Sequence, residues 1–231
     1  MRLFSVKHEE SVYDLFGEMS HTLVISTESL SRLMGEAPSE RAVLAKPIHR
    51  GATDAAAVNR RIANILAISL ITPFEAEVLH ALSMRIVETI REIDRTADLT
   101  VRLSLGSLPA PLLDVCTVLE RAAALTTEAM WSLSHVSRLS SFYAEMRRVD
   151  NHAQELLRRS TADLLNPDER QDDGSLVLGP GASAHTSTAS GAPMAALTLM
   201  RSRESIASLE RVTAAFQRIA VTVDLLRVKD S

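Results

Sequence analysis

The sequence predicts an all-α protein: an elongated six-helix bundle made of two three-helix repeats. Three observations carry that prediction. Apolar residues recur at steps of three and four along most of the chain, the spacing of helices with one buried face. No segment alternates apolar and polar residues as a half-buried strand would. Aromatics supply 3% of the 231 residues against 46% hydrophobic overall, so the core must come from Leu, Ile, Val, Ala and Met. That mix suits helix-on-helix packing.

The first helix carries Val12, Leu15, Phe16, Met19, Leu23, Leu30, Leu33 and Met34. It ends near Gly35, with Pro38 beyond it. A second carries Val58, Ile62, Ile65, Leu66 and Leu70. The stretch "SLITPFEAEVLHALSMRI" (Ser69–Ile86) then turns a corner. Thr72 serves as N-cap, Pro73 as the first helical residue, and Glu75 closes a capping box back to Thr72. The third helix carries Val78, Leu82, Ile86, Ile90 and Ile93 and runs to about Leu105, before Gly106, Pro109 and Pro111 punctuate the chain.

The second half repeats the plan, with helices from about Leu112 to Leu139, Ser141 to Leu165 and Ala195 to Val228. The last of them carries Ile206, Leu209, Val212, Phe216, Ile219, Val223 and Leu226. The expected organisation is one domain over residues 1–231, with approximate repeats at 8–105 and 110–231. "NPDERQDDGSLVLGPGASAHTSTASGAP" (Asn166–Pro193) is too rich in Gly, Ser, Thr and Pro to fold alone and reads as a flexible insertion.

Composition narrows the function classes. A net charge of −4 gives no electrostatic case for nucleic-acid binding. The single cysteine, Cys116, lies in an apolar run, which argues against disulfides and thiolate metal sites and for a buried small hydrophobe. "MRLFSVKHEE" has no apolar signal core, and no apolar run reaches about 18 residues. The expected location is cytoplasmic, with any membrane role exercised through a partner.

The most specific chemical pattern is a pair of Glu-x-x-His motifs, "EMSH" (Glu18, His21) and "EVLH" (Glu77, His80), the kind that builds carboxylate-bridged di-iron sites inside bundles. At about 100° per residue, all four side chains fall opposite the apolar stripes of their helices and are expected in solvent. Glu88/Glu92 and Asp94/Asp98 sit four apart and could share one metal from one helix face. Arg85, Arg91, Arg95 and Arg102 offer them ordinary ion-pair partners instead, and a solvated face is the expectation. Nucleophilic catalysis has no foothold: there is no Gly-x-Ser-x-Gly elbow, and Cys116 lacks polar surroundings. "LGPGAS" lacks the lysine of a phosphate-binding loop. His8, His49, His135, His152 and His185 are scattered singly, and Trp131 reads as core or interface.

The corner "ITPFEAEVLHAL" (Ile71–Leu82) resembles the signature of PhoU-like phosphate-transport accessory proteins, in particular the branch accompanying Pit-type transporters. There a second helix typically ends in a Phe-Ile-Thr-Pro-Phe-Asp-like corner; here Leu70 stands for the Phe and Glu75 for the Asp. "SVYDLFGEMSHTLV" is similar to the family's opening helix, "MRRVDNHAQELLRRS" (Met146–Ser160) to its fifth and "SLERVTAAFQRIAVTVDLLRVK" (Ser208–Lys229) to its last. The resemblance covers nearly the whole chain outside Asn166–Pro193.

It implies two three-helix repeats, a cytoplasmic location and regulation of phosphate uptake without catalysis. It also implies metal-binding acid-x-x-x-Asp motifs, and these are mostly replaced: Ala52 and Ala56 on the second helix, Val87 and Arg91 on the third, Gln154 on the fifth, and Thr213, Ala214 and Gln217 on the last. Only Asp54, Glu88, Glu92 and Asp150 remain for a residual divalent or ferric site, too few anionic oxygens for a metal cluster. The expectation is a non-enzymatic regulator without catalytic residues or resident cofactor. It would act as a homodimer on a Pit-type transporter or an associated signalling protein. The alternatives are a carboxylate-bundle metal store or di-metal enzyme, and a helical adaptor unconnected with phosphate.

Overall fold

Ser11 sets where the first helix begins. Its hydroxyl accepts from the Tyr13 amide at 3.2 Å, while the Asp14 carboxylate takes the Ser11 amide at 3.2 Å. This capping box satisfies two donors that the first turn leaves open. In this computed structural model, residues 11–68, 73–104, 108–165 and 191–229 are described. They form α1 (Val12–Gly35), α2 (Pro38–Ile68), α3 (Pro73–Leu103), α4 (Ala110–Trp131), α5 (Phe142–Leu165) and α6 (Gly191–Lys229). No strand occurs among the described residues.

The expected bounds hold for α1, and α3 restarts at Pro73. Thr72 and the side chain of Glu75 fall outside what is described, as do Leu105, Gly106 and residues 166–190 of the expected insertion. Ser104, at φ 47, turns the backbone out of α3. Between α1 and α2 the chain turns on Arg41, 1% exposed, whose Nε donates to the Glu36 carbonyl at 3.0 Å. A carbonyl left over at the end of α1 is thereby satisfied. Burial holds the Arg41 pKa below the ordinary guanidinium value.

One helix is shorter than the apolar spacing suggests. α4 stops at Trp131, where Ser132 donates back to the Ala129 carbonyl at 3.0 Å, and a short 3-10 helix, Val136–Leu139, follows. Leu133 and Leu139 are nevertheless buried, which is why their spacing mimics a continuing helix. Trp131 is not core: it is 67% exposed and lies across Gly17, where an added Cβ would stand 3.1 Å from the ring.

Helices α1, α2 and α3 pack on one another, and α6 packs on both α5 and α4, which are themselves in contact. The two groups meet where α1 lies along α4 and α3 along α6. A core of Leu, Ile, Val, Ala and Met with Phe16, Phe142 and Phe216 runs through all six helices. Buried serines and threonines donate to carbonyls one turn back in their own helices, as Thr27 does to Leu23 at 2.8 Å and Thr126 to Ala122 at 2.8 Å. Such pairing lets polar residues sit inside without orphaned hydroxyls. No described helix is long and apolar enough to cross a membrane.

Candidate functional site

On α5, Met146, Val149, Asp150 and Ala153 recur at three- and four-residue steps, so Asp150 shares the inward half of an otherwise apolar face. On α6 the same logic brings Thr213, Phe216 and Gln217 toward α5. With Val118, Leu119 and Ala122 of α4, these residues line a narrow cleft of about 10 Å³, little more than room for one water. Gln217 Oε1 is shielded there and has no hydrogen-bond partner among the described residues. Thr213 already donates to the Leu209 carbonyl at 2.9 Å. The polar groups facing the cleft are thus one carboxyl, one committed hydroxyl and one unpaired amide oxygen. That donor set is oxygen-only, with a single anionic group.

Burial pushes the Asp150 carboxyl above its usual range, against the hydrogen bond of Gln154 and the charge of Arg147. An acid whose folded pKa exceeds its unfolded value of 3.8 costs the fold stability once ionised. The penalty is absent well below 3.8 and complete above the folded pKa. Asp150→Asn is therefore expected to raise the melting temperature at neutral pH, with the gain fading as pH falls to 3.8. Thermal scans of both proteins across that range check it; a gain that grows in acid would refute it.

The other residual candidates lie elsewhere. Asp54 is exposed on α2. Glu88, on α3, bridges Arg85 at 2.9 Å and Arg218 of α6 at 3.1 Å. Burial works to raise the Glu88 pKa, but the hydrogen bonds and charges of the two arginines outweigh it and hold the carboxyl below the usual range. Glu92 is buried at 9% exposure and pairs with Arg95. The solvated face expected for the acids of α3 is corrected at this position, because α6 covers it: Thr96, one turn on, donates to the Glu92 carbonyl at 2.8 Å with its hydroxyl only 3.4 Å from the Ser208 carbonyl of α6. Glu88 and Glu92 are adjacent turns of one helix. Asp150 lies against a different face of α6, since Arg218 faces Glu88 while Gln217 faces the Asp150 cleft.

Asp98 pairs with Arg102 at 2.6 Å, and Asp94 pairs with His49 of α2. The His49–Asp94 pair joins positions 45 residues apart and leaves no periodic trace in sequence. Thr53, one turn along α2, donates to the His49 carbonyl and not to its ring, so that hydroxyl is not aligned with the imidazole. Glu18, His21, Glu77 and His80 are all exposed, as their helical angles predict, and Glu18 accepts two hydrogen bonds from Arg61 at 3.0 and 3.2 Å. Among the described residues, no three His, Cys, Asp or Glu side chains are grouped to hold a metal ion. Cys116 is 1% exposed, and burial, with the charge of Glu120 adding to it, pushes the thiol up to about 12. The thiolate needed for nucleophilic or redox chemistry is thus suppressed.

No protein-family model and no curated protein matches this chain.

Proposed function

We propose that the chain is a non-enzymatic, cytoplasmic regulator of inorganic phosphate transport, of the PhoU-like type that accompanies Pit transporters, and that it works by protein–protein contact. One observation supports the reading: the helices pack in a closed ring, α2–α1–α4–α5–α6–α3, so that α1–α3 make one half of the bundle and α4–α6 the other. That is the pattern two three-helix repeats would produce, and the Pro73 restart of α3 lies within the sequence corner that resembles the family. Length supports an elongated bundle, since the 31 residues of α3 span roughly 46 Å at 1.5 Å each.

The regulator would bind cytoplasmic loops of the transporter, or a signalling protein attached to it, more tightly in one transport state than in another. Differential binding of that kind is what shifts a conformational equilibrium. The carboxylates of α3 favour this reading over a metal store, because Glu88, Glu92, Asp94 and Asp98 are each engaged by a cationic or imidazole partner. Glu88–Arg218 and His49–Asp94 tie helices together, and all four contacts consume the charge that a cluster of hard cations would need.

Deleting the gene and following uptake of labelled phosphate tests the reading, together with affinity purification from the same cells. The expected result is altered uptake and co-purification of a phosphate permease. Unchanged uptake with no transporter recovered would overturn it. Elemental analysis is expected to find less than one equivalent of iron or zinc per chain; stoichiometric metal would favour the carboxylate-bundle alternative.

A further inference from the structure

At one end of the bundle α6 outruns its neighbours. It has 39 residues, against 31 in α3 and 24 in α5. Its register on α3 is antiparallel: Glu88 meets Arg218, and Thr96 stands beside the Ser208 carbonyl. Carried on residue by residue, that register brings Leu103, the last residue of α3, level with Arg201. The cleft shared by Asp150, Thr213 and Gln217 sets Leu165, the last residue of α5, at about the same level. The turns of α6 before Arg201 therefore project past both helices, by about 15 Å at 1.5 Å per residue.

Residues 191–200 of that projection read GAPMAALTLM, without a single charge. Ala196, Leu197, Thr198, Leu199 and Met200 are exposed in unbroken succession, which is more than one full turn. Leu165, at the end of α5, adds a further exposed apolar side chain. We propose that this tip enters the headgroup layer of a lipid bilayer. Exposure right round the helix selects the occupant: a partner helix covers one stripe and leaves the rest to water, whereas lipid surrounds a tip on every side. About 15 Å is half of a hydrocarbon core roughly 30 Å thick, so the tip reaches into one leaflet and does not span. Charge sets the depth. Arg201 and Arg203 form a collar at the base of the tip, with no ion-pair partner among the described residues. Glu204, the first acid of α6, is held by Arg211 at 3.3 Å. The two guanidinium groups thus stand where lipid phosphates would lie. Such a contact would hold a regulator beside a membrane-embedded transporter, yet it does not depend on that role.

Co-sedimentation of the full chain with vesicles of phosphatidylcholine and phosphatidylglycerol tests it. Binding is expected, and it should weaken tenfold or more, roughly, when phosphatidylglycerol is left out or both arginines are changed to Gln. Leu197→Glu and Met200→Glu should each weaken it on the order of a hundredfold, by forcing a carboxylate into the acyl region. Both side chains are exposed, so the melting temperature should stay near wild type. Val228→Glu, at the other end of α6, should bind as wild type does. Brominated acyl chains should quench the emission of Leu199→Trp but not that of native Trp131. The native ring lies over Gly17, near the start of α1, whereas the end of α3 level with the tip lies beside Met34, near the end of α1. No binding to the mixed vesicles, or binding that survives both glutamate variants, overturns the proposal. So does a marked fall in melting temperature for Leu197→Glu, since the chain itself then covers the tip. Pairing of copies that Leu197→Glu abolishes, with no vesicle binding, assigns the tip to a second chain and also overturns it. Vesicle binding is read on purified protein, so its failure is distinct from failure of the uptake and co-purification tests.

Discussion

Phe16→Ala is expected to remove roughly 3–5 kcal/mol of stability, the range for emptying a buried aromatic site. Phe16 is 0% exposed, on a helix that packs against α2, α3 and α4. No neighbouring helix can close the resulting cavity without losing its own contacts. With single-domain proteins stable by about 5–15 kcal/mol, the loss is a fifth or more of a typical total. For a chain of this size it corresponds to a fall in melting temperature of roughly 6–20 °C. Phe16→Leu keeps most of the volume and should cost well under half as much. Val43→Ala, at a side chain 58% exposed, should stay within about 0.5 kcal/mol. A melting temperature for Phe16→Ala close to that of Val43→Ala would mean that the residue is not part of a tight core.

Much of the fold is legible because helical burial leaves a periodic mark. Val12, Leu15, Phe16, Met19 and Leu23 announce the face of α1 that is buried, and the same reading puts Glu18, His21, Glu77 and His80 in solvent. Periodicity reports which face is inward but not which neighbour covers it. Glu92 was readable as one of four acids on a solvated face; only the approach of α6 buries it. α4 fails for a related reason, since Leu133 and Leu139 reach the core from a turn and a 3-10 segment while matching helical spacing.

The cleft was only half visible. Asp150, Thr213 and Gln217 stood out as positions where acids were retained or replaced, but their convergence depends on the packing of α5 on α6. Nothing local distinguishes Gln217, with its unpaired oxygen, from any other glutamine on a helix. The exposed apolar side chains at the end of α6 are hidden differently. Val221, Leu225 and Val228 fit an ordinary apolar helix until the chain's own core proves to lie on the other side, along Ile219, Ala220 and Val223.

Gly51→Val is the second large effect, and its origin is overpacking. α2 continues through Gly51 even though glycine is unfavourable inside helices by about 1 kcal/mol. The reason is across the interface: a Cβ at Gly51 would stand 2.7 Å from Ser26 Oγ and 3.3 Å from Thr22 Cγ2, both on α1. Ser26 is 0% exposed and its hydroxyl is held by the Thr22 carbonyl at 2.8 Å, so it has little freedom to turn aside. A branched side chain must push α1 and α2 apart, at a cost of roughly 1–3 kcal/mol, only partly offset by better helix propensity. Adding Ser26→Gly should recover much of that loss, although Ser26→Gly alone destabilises the helix. Urea unfolding of the two single variants and the double variant measures the coupling. Strict additivity would show that Gly51 is not small because Ser26 is close.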